Sequence, residues 1–271
     1  MRLGVSYTVF DGIELLEKSI DQIREHVYLI QVCYQKVSWF GSKILDEDLE
    51  TLHRLKSEGK IDDLYEFTNF EVIRPDSPRQ IQSSKYFEMR KRQVGLAWAK
   101  AKACTHFMSM DVDEFYDSSE FKRAKDLVLL HNIDSTSVSF INYVKLPTIH
   151  RGYDPTRVPF ICRIGRHSTM QSRFFVKVDP TRGISPYGNT EYDFPRDHIT
   201  MHHMESVRSD LSRKYDSTTR AIFIRGRQDE LINSISSVTE DSNIVSFNKI
   251  IFPSRENFEL FKVENKFNIN I

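Results

Sequence analysis

The stretch THFMSMDVDEFYD, residues 105–117, decides both the fold class and the candidate site of this chain. Its opening, THFMSM, is typical of a buried β-strand, and the carboxylates Asp111 and Asp113 follow it one residue apart. In open α/β sheets, ligands bind beyond the carboxyl ends of the strands. The two carboxylates therefore stand where a sheet of this class would meet its ligand.

Strand-like and helix-like segments alternate through the residues before this stretch. RLGVSYTVF, VYLIQVCYQ and LYEFTNFEVI are rich in β-branched and aromatic residues and are predicted to be strands. Amphipathic helices follow them, with Asp11, Asp46 and Ser77 placed to cap their N-termini. This order predicts an α/β fold with a mixed, mostly parallel sheet flanked by helices.

The composition sets limits on class and compartment. The chain has 271 residues, 39% of them hydrophobic, which is ample for a large core. Lys plus Arg and Asp plus Glu both total 38, so the net charge argues neither for nor against a polyanionic partner. No window approaches the ~18 apolar residues of a membrane span, and a cytoplasmic protein is expected. Cys33, Cys104 and Cys162 are far apart in apolar surroundings, which is typical of reduced core thiols.

The pair Asp111 and Asp113 has the chemistry of a cation site. Two carboxylates in an extended Asp-x-Asp point to the same side of the chain, about 7 Å apart. One divalent cation can bridge them, and such hard oxygen ligands suit Mg²⁺ or Mn²⁺, which in turn neutralises a diphosphate. The alternative is a solvated acidic turn, because Asp-x-Asp also occurs by chance.

The residues before the carboxylates carry a family resemblance. KRQVGLAWAKAKACTHFMSMDVDEFY, residues 91–116, resembles the segment of family 2-type glycosyltransferases in which an Arg-Asn-x-Gly-Leu helix leads into a strand ending in Asp-x-Asp. The helix positions are held here by Arg92, Gln93, Gly95 and Leu96. Gln93 replaces the usual Asn. The opening GVSYTVFDG, residues 4–12, resembles the first strand and nucleotide-facing turn of that family.

This resemblance implies the GT-A fold, in which a Rossmann-like nucleotide half joins an acceptor half. We therefore expect one GT-A domain over 1–271, with a nucleotide-sugar-binding half at 1–116, an acceptor-binding half at 117–225, and a C-terminal segment, 226–271, packing on it. The resemblance assigns nucleotide-sugar contacts, with a UDP-sugar as the favoured donor, to Tyr7, Thr8, Asp11, Arg92 and Asp111. The second strand ends in Gln35, where the family often has an acidic residue.

The stretch ITMHHMESVRSDLSRKYDS, residues 199–217, adds a second match. Many metal-dependent GT-A enzymes return a late histidine to the cation held by Asp-x-Asp. The implied metal ligands are therefore Asp111, Asp113 and one of His202 and His203, because a strand shows its two faces alternately. Arg208 and Lys214 are candidate phosphate contacts, although a solvated charged face is favoured for each taken singly.

Residues 145–182 are locally basic. The segment contains Lys145, Arg151, Arg157, Arg163, Arg166, Arg173, Lys177 and Arg182 against only Asp154 and Asp179. Such a segment predicts contact with an anion, whether the donor phosphates, a phosphorylated glycan or nucleic acid. A basic solvated hairpin is the alternative. No RNA-binding or helix-turn-helix pattern accompanies it.

Together these features predict a metal-dependent glycosyltransferase that uses Mn²⁺ or Mg²⁺. It would move a sugar from a nucleoside-diphosphate sugar to a hydroxyl of a polar acceptor, either a glycan or a modified base in DNA. In an inverting reaction a carboxylate deprotonates the acceptor. Glu191 and Asp193 are the predicted base candidates because they lie between the two motifs, where the related inverting enzymes place a base, and Asp154, Asp197 and Glu205 are rivals.

Two other classes remain open from sequence. A nucleotidyltransferase also combines paired carboxylates and a metal on an α/β sheet, but it commonly begins with a Gly-rich phosphate loop, which SYTVFDG is not. A binding module that has lost catalysis is the second alternative. Metal titration and a nucleotide-sugar hydrolysis assay distinguish such a module from an enzyme.

Overall fold

The structure, a computed structural model, describes residues 1–68, 80–217, 226–247 and 257–270. Its helices are α1 (Ile13–Ile23), α2 (Asp46–Ser57), α3 (Gln80–Ala101), α4 (Ser118–Leu130), α5 (Leu211–Ser217) and α6 (Gln228–Ser236). Its strands are β1 (Leu3–Val9), β2 (Leu29–Tyr34), β3 (Asp63–Glu66), β4 (His106–Asp111), β5 (Glu114–Phe115), β6 (Ser135–Val144), β7 (Leu146–Tyr153), β8 (Val158–Arg163), β9 (Met170–Gln171), β10 (Gly183–Ile184), β11 (Glu191–Asp193), β12 (Thr200–His203), β13 (Ile244–Ser246), β14 (Asn257–Glu259) and β15 (Phe261–Lys262).

Four parallel strands form the first part of the main sheet. They lie in the order β3, β2, β1, β4, with every neighbouring pair parallel. Val5, Ile30 and Met108 are fully or almost fully buried, as expected for parallel strands that are covered on both faces. The mixed, mostly parallel α/β sheet predicted from the sequence is therefore confirmed.

The long strand β6 organises the second half of the chain. It pairs antiparallel with β7 and β8 and parallel with β11 and β12, and β8 joins this part to β4. Strand β12 also pairs antiparallel with β5, which places His203 opposite Glu114. This pairing returns residues 200–203 to the end of β4, where the carboxylates lie.

The helix starts differ in part from the predictions. Helix α1 begins after Gly12, which has a left-handed φ of 72° and provides no side-chain cap, so the predicted cap at Asp11 is wrong. Asp46 lies within the first turn of α2 rather than before it, because Leu45 occupies the N-cap position. An acidic residue there still favours the helix dipole. The predicted cap Ser77 lies outside the described residues.

The C-terminal residues pack against the body of the protein. Leu231 and Ile235 of α6 share a buried cluster with Val144 and Tyr215, and β15 pairs antiparallel with β7. Phe267 lies against Phe115 with ring centroids 5.1 Å apart.

The three cysteines are buried free thiols. Within the described parts of the chain, no helix combines the length and apolar character needed to cross a membrane.

Candidate active site

A cavity of about 680 Å³ opens beyond the carboxyl ends of β1 and β4. Strand β1 has β2 on one side and β4 on the other, so the crevice between β1 and β4 is the topological switch point of the sheet. Thr8 and Asp111 are register partners at that crevice, and both line the cavity. The fold therefore places the first carboxylate of the motif where an α/β sheet binds its ligands.

Asp111 is held by two guanidinium groups and a hydroxyl. Arg92 donates from Nη2 to both carboxylate oxygens, at 2.9 and 3.0 Å, and Arg182 and Thr8 donate as well. Burial would raise the pKa of Asp111, but the guanidinium groups of Arg182 and Arg92 hold that pKa well below its ordinary value. Asp111 is therefore a charged anchor for Arg92 and Arg182.

Asp113 presents its two oxygens to different partners. Oδ2 accepts hydrogen bonds from Arg208 Nη2 at 2.6 Å and from Lys214 Nζ at 2.9 Å. Oδ1 lies 3.6 Å from Nε2 of His203. Burial opposes the charge of Asp113, yet Lys214 and Arg208 lower its pKa well below the ordinary value. Arg208 and Lys214 are thus part of the site, and the solvated face favoured from sequence is wrong for both.

Glu114 also belongs to the charged cluster. Its Oε1 lies 2.5 Å from Arg182 Nη2, and its Oε2 accepts from the backbone N–H of Asp111 at 3.1 Å. Burial raises the pKa of Glu114, although the charge of Arg182 acts in the opposite direction. Glu114 therefore couples Arg182 to the motif backbone. The sequence contains no pattern that singles out Arg182 as its partner.

The two adjacent histidines point to opposite faces of β12, as predicted for a strand. His203 lines the cavity, and its Nδ1 is 2.8 Å from Asn142 Oδ1. His202 is turned away, with Nδ1 2.9 Å from the hydroxyl of Tyr143 and its ring against Phe267. Burial lowers the pKa of His202 to about 3. Only His203 is therefore placed to meet a ligand beside Asp113.

The far edge of the cavity is built around a buried lysine. Lys91 Nζ donates to the carbonyl of Val9 at 2.7 Å and to Gln35 Oε1 at 3.1 Å. Its ammonium lies 6.0 Å from the ring centroid of Trp39, and burial lowers its pKa to about 8. Because Lys91 occupies Oε1 of Gln35, the amide nitrogen of Gln35 is left to donate to a ligand.

The predicted nucleotide contacts divide into two groups. Thr8, Asp11 and Asp111 line the cavity, and Arg92 reaches it through its bonds to Asp111. Tyr7 does not: its side chain is fully buried in the core, and its hydroxyl is 3.0 Å from Ser19 Oγ. Alternation along β1 explains this, because Thr8 faces the crevice and its neighbour must face the other side. The structure therefore does not support a ligand contact for Tyr7.

The predicted base candidates Glu191 and Asp193 lie outside the cavity. Strand β11 pairs with the first residues of β6, from Ser135 to Ser137, whereas the cavity lies near Asn142. Glu191 is exposed, and Asp193 accepts from Ser137 Oγ at 2.6 Å and pairs with Arg157 at 2.8 Å. Neither carboxylate therefore lines the cavity, although Asp193 holds Arg157, which does.

Two of the rival carboxylates do line the cavity. Asp154 accepts from the backbone N–H and hydroxyl of Thr156 and, at 3.4 Å, from Asn142 Nδ2. Glu205 pairs with Arg151 at 3.1 Å. Asp197 is not on the cavity wall. Asp154 thus has neutral hydrogen-bond partners, whereas Glu205 is paired with a cation.

Much of the basic segment is neutralised within the chain. The pairs are Arg151 with Glu205, Arg157 with Asp193, Arg163 with Asp134, and Arg182 with Asp111 and Glu114. Lys145 donates to the carbonyls of Ser236 and Val238. These pairs reduce the positive charge that the segment can offer to an anionic acceptor such as DNA.

Among the described residues, Asp113 and His203 are the pair placed to hold a divalent cation. The amide oxygen of Asn142 can only accept, so Nδ1 of His203 donates to it, and Nε2 faces Asp113 Oδ1 at 3.6 Å. Two protein ligands suit Mg²⁺ or Mn²⁺, which take their other ligands from phosphates and water. Asp111 fits less well because both of its oxygens bind guanidinium groups. Across the described residues, no group of three or more His, Cys, Asp or Glu side chains is arranged for a metal.

Proteins similar to this chain are found among solved structures, and they share little sequence with it. No protein-family model matches the chain, and no curated protein does. Similar solved structures include S. aureus TarS (TM-score 0.36, 12% identity, 52% of this chain and 22% of that chain) and TarS 1-349 in complex with UDP-GlcNAc (0.36, 11%, 52% and 35%). Another is a mannose-1-phosphate geranyltransferase from Thermus thermophilus (0.31, 10%, 88% and 66%). The chain thus spans 22% to 35% of these TarS chains, and likenesses of this degree assign no activity to it.

Proposed function

We propose that this chain is a glycosyltransferase that moves a sugar from a nucleoside-diphosphate sugar to a hydroxyl group of an acceptor. One observation carries the proposal: at the switch point of the sheet, the strand-end carboxylates share a cavity with Arg182, Arg208, Lys214 and His203. A site that combines fixed cations with a cation-binding carboxylate is suited to a departing diphosphate.

Each part of the cavity then has a role in donor binding. The nucleoside is held at the edge formed by Thr8, Gln35 and Lys91, where the amide of Gln35 can donate to a base. Arg182 has an Nη1 group that is buried and makes no hydrogen bond within the described structure. An unpaired buried donor is costly, and a phosphate oxygen of the donor would satisfy it.

The leaving group is stabilised by the same residues. Lys214 and Arg182 carry charge that is already in place before the diphosphate separates, so little reorganisation is needed. Asp113 Oδ1 and His203 Nε2 would hold Mn²⁺ or Mg²⁺, which supplies Lewis-acid stabilisation of the diphosphate when bound. Asn142 fixes the ring of His203 in the orientation that this requires.

Asp154 is the proposed base for an inverting transfer. It lines the cavity, and its hydrogen bond to Asn142 links it to His203. The Asp154→Asn variant should lose about 10²- to 10⁴-fold in kcat while UDP binding is retained. Glu205→Gln is the comparison within the cavity, and Asp193→Asn is the comparison outside it. A larger loss in Glu205→Gln than in Asp154→Asn would transfer the role to Glu205.

The decisive experiment is a thermal-shift screen of UDP, GDP, ADP and CDP with and without Mn²⁺. A ligand held jointly by the fixed cations and by a metal raises Tm most when both are present. Turnover of the matching nucleotide sugar then identifies an enzyme. If no nucleoside diphosphate stabilises the protein under either condition, the glycosyltransferase proposal is wrong. Synthesis of a sugar nucleotide from a nucleoside triphosphate would instead identify a nucleotidyltransferase.

A further inference from the structure

A second cavity, of about 500 Å³, lies at the N-terminus of α1. Asp11 and Arg208 line both this cavity and the catalytic one, so the two spaces are neighbours. Gly12 and Glu14 line it from the start of α1, Thr51 lines it from α2, and Ser209, Asp210 and Arg213 line it from the start of α5 and the segment that leads into that helix.

The walls of the second cavity are predominantly acidic. The carboxylates are those of Asp11, Glu14, Glu47, Asp48 and Asp210, and the basic residues are Arg208 and Arg213. Arg213 lies 3.8 Å from Asp48 and donates to the carbonyl of Lys43. Such walls repel a free phosphate or sulfate. No group of His, Cys, Asp or Glu among the described residues is arranged here as a metal site.

Arg208 differs from the other charged residues of this cavity because it is buried and not all of its donors have a partner in the described structure. Its side chain is 3% exposed, and Nη2 donates to Asp113 at 2.6 Å. Its Nε and Nη1 groups are buried and make no hydrogen bond in the described structure. Nη1 lies against Gly12, where an added Cβ would overlap with it. The guanidinium thus reaches from Asp113 to Gly12, where the two cavities adjoin, and two of its donors have no partner in the described structure.

We propose that the second cavity binds hydroxyl groups of a neutral carbohydrate, the acceptor of the transfer. A hydroxyl both accepts and donates, so one sugar can accept from Arg208 and donate to Asp11 or Asp210. An anion would satisfy only Arg208, and a simple amine would satisfy only the carboxylates. Because Arg208 also binds Asp113, a sugar held here lies next to the catalytic cavity. This inference rests on the proposed function.

The test fills the cavity without changing the catalytic residues. Thr51 lines the second cavity, and Thr51→Phe would occupy part of its volume. Glu50→Phe is the matched control, because Glu50 is exposed on the same helix and lines neither cavity. The probe is a mixture of methyl glycosides of hexoses, N-acetylhexosamines and pentoses, followed by saturation-transfer NMR in the presence of UDP and Mn²⁺.

At least one methyl glycoside should bind to the wild type and to Glu50→Phe, with affinity reduced about tenfold or more in Thr51→Phe. Equal glycoside binding by the two variants, or no glycoside binding to the wild type, overturns the inference. Thr51-dependent binding of inorganic phosphate or of spermidine instead would assign the cavity to an ion. UDP stabilisation, measured on the same samples, is independent of this outcome, and its absence would count against the proposed function instead.

Discussion

The candidate site is assembled from two regions of very different construction. The carboxylate edge, Asp111, Asp113 and Glu114, comes from four consecutive positions at the end of β4 and the start of β5. The cationic wall, Arg182, Arg208 and Lys214, comes from residues 182–214, where loops and the seven-residue helix α5 present it. A regular strand dictates where its terminal side chains lie, whereas the wall depends on long-range contacts. The proposed transfer uses both regions.

The largest effect is expected at the carboxylate edge. Asp113→Asn keeps the side-chain volume but removes the charge that binds Arg208, Lys214 and a divalent cation. Turnover should fall about 10³-fold, because the leaving diphosphate loses preorganised stabilisation. The assay is release of nucleoside diphosphate from the matching nucleotide sugar. Asp193→Asn is the control: Asp193 lies outside the cavity and meets it only through Arg157, so turnover should stay close to wild type.

Similar losses of turnover in Asp113→Asn and Asp193→Asn would contradict a special role for the carboxylate edge. Near wild-type turnover in Asp113→Asn would remove the motif from the mechanism altogether.

The next effect tests how much the cationic wall contributes to stability through its ion pairs with the carboxylate edge. Arg182→Gln leaves the buried carboxylate of Glu114 without its cation and removes one partner of Asp111. Breaking a buried pair in this way should lower the free energy of unfolding by about 3 kcal/mol. Urea denaturation measures the change. Arg157→Gln, which breaks the more exposed pair with Asp193, should cost less than about 1 kcal/mol.

The double variant Arg182→Gln with Glu114→Gln sharpens this comparison. It removes the unpaired charge, so it should recover part of the stability lost in Arg182→Gln. If the loss of unfolding free energy in the double variant equals the sum of the losses in the two single variants, the two residues are not coupled.

A smaller effect separates the two histidines. His203→Ala should weaken Mn²⁺ binding in the presence of UDP by about 10- to 100-fold. His202→Ala should leave Mn²⁺ affinity unchanged, because the His202 ring packs against Tyr143 and Phe267 on the other face of β12. Calorimetric titration measures both affinities. An equal loss of Mn²⁺ affinity in the two variants would contradict the assignment of His203 alone to the metal.

The sequence predicted the parts of the molecule that local rules determine. Strand alternation and the position of the motif indicated the sheet, the edge at Asp111 and Asp113, and the requirement that one histidine face away. The same alternation could have excluded Tyr7, since Thr8 is its neighbour on β1. The order of motifs along the chain misled the choice of Glu191 and Asp193, because β11 pairs with the distant end of β6.

The cationic wall could not be predicted because its members share no spacing. Arg182 lies 71 positions from Asp111, and the contact arises only when the segment after β8 folds back over the sheet. Arg208 and Lys214 are also indistinguishable in sequence from a solvated charged helix. Their role follows from burial against Asp113, which is a property of the tertiary structure.

The last effect concerns the opposite end of β4, where a titrating side chain bears on folding and not on the site. Burial, with help from the charge of Arg163 and the N-terminal ammonium, lowers the pKa of His106 to about 4, while Asp134 acts in the opposite direction. Unfolded histidine titrates near 6.5. Between these values the unfolded chain binds more protons, so stability should fall as pH falls from about 6.5 to about 4, by at most about 1.4 kcal/mol per pH unit.

His106→Gln removes this titration and should reduce the dependence of unfolding free energy on pH between about 7 and about 5, while His202, whose pKa burial also lowers, keeps its own contribution. Urea denaturation at several pH values measures the slope, and His53→Gln, at an exposed position of α2, should keep the wild-type slope. Asp111 and Asp113 have pKa values held below the ordinary range, so their protonation should affect stability only at more acidic pH. An unchanged slope in His106→Gln would show that acid sensitivity near pH ~6 arises elsewhere in the chain. It would also contradict the contrast between the start of β4, where burial disfavours a charged His106, and its end, where guanidinium groups stabilise a charged Asp111.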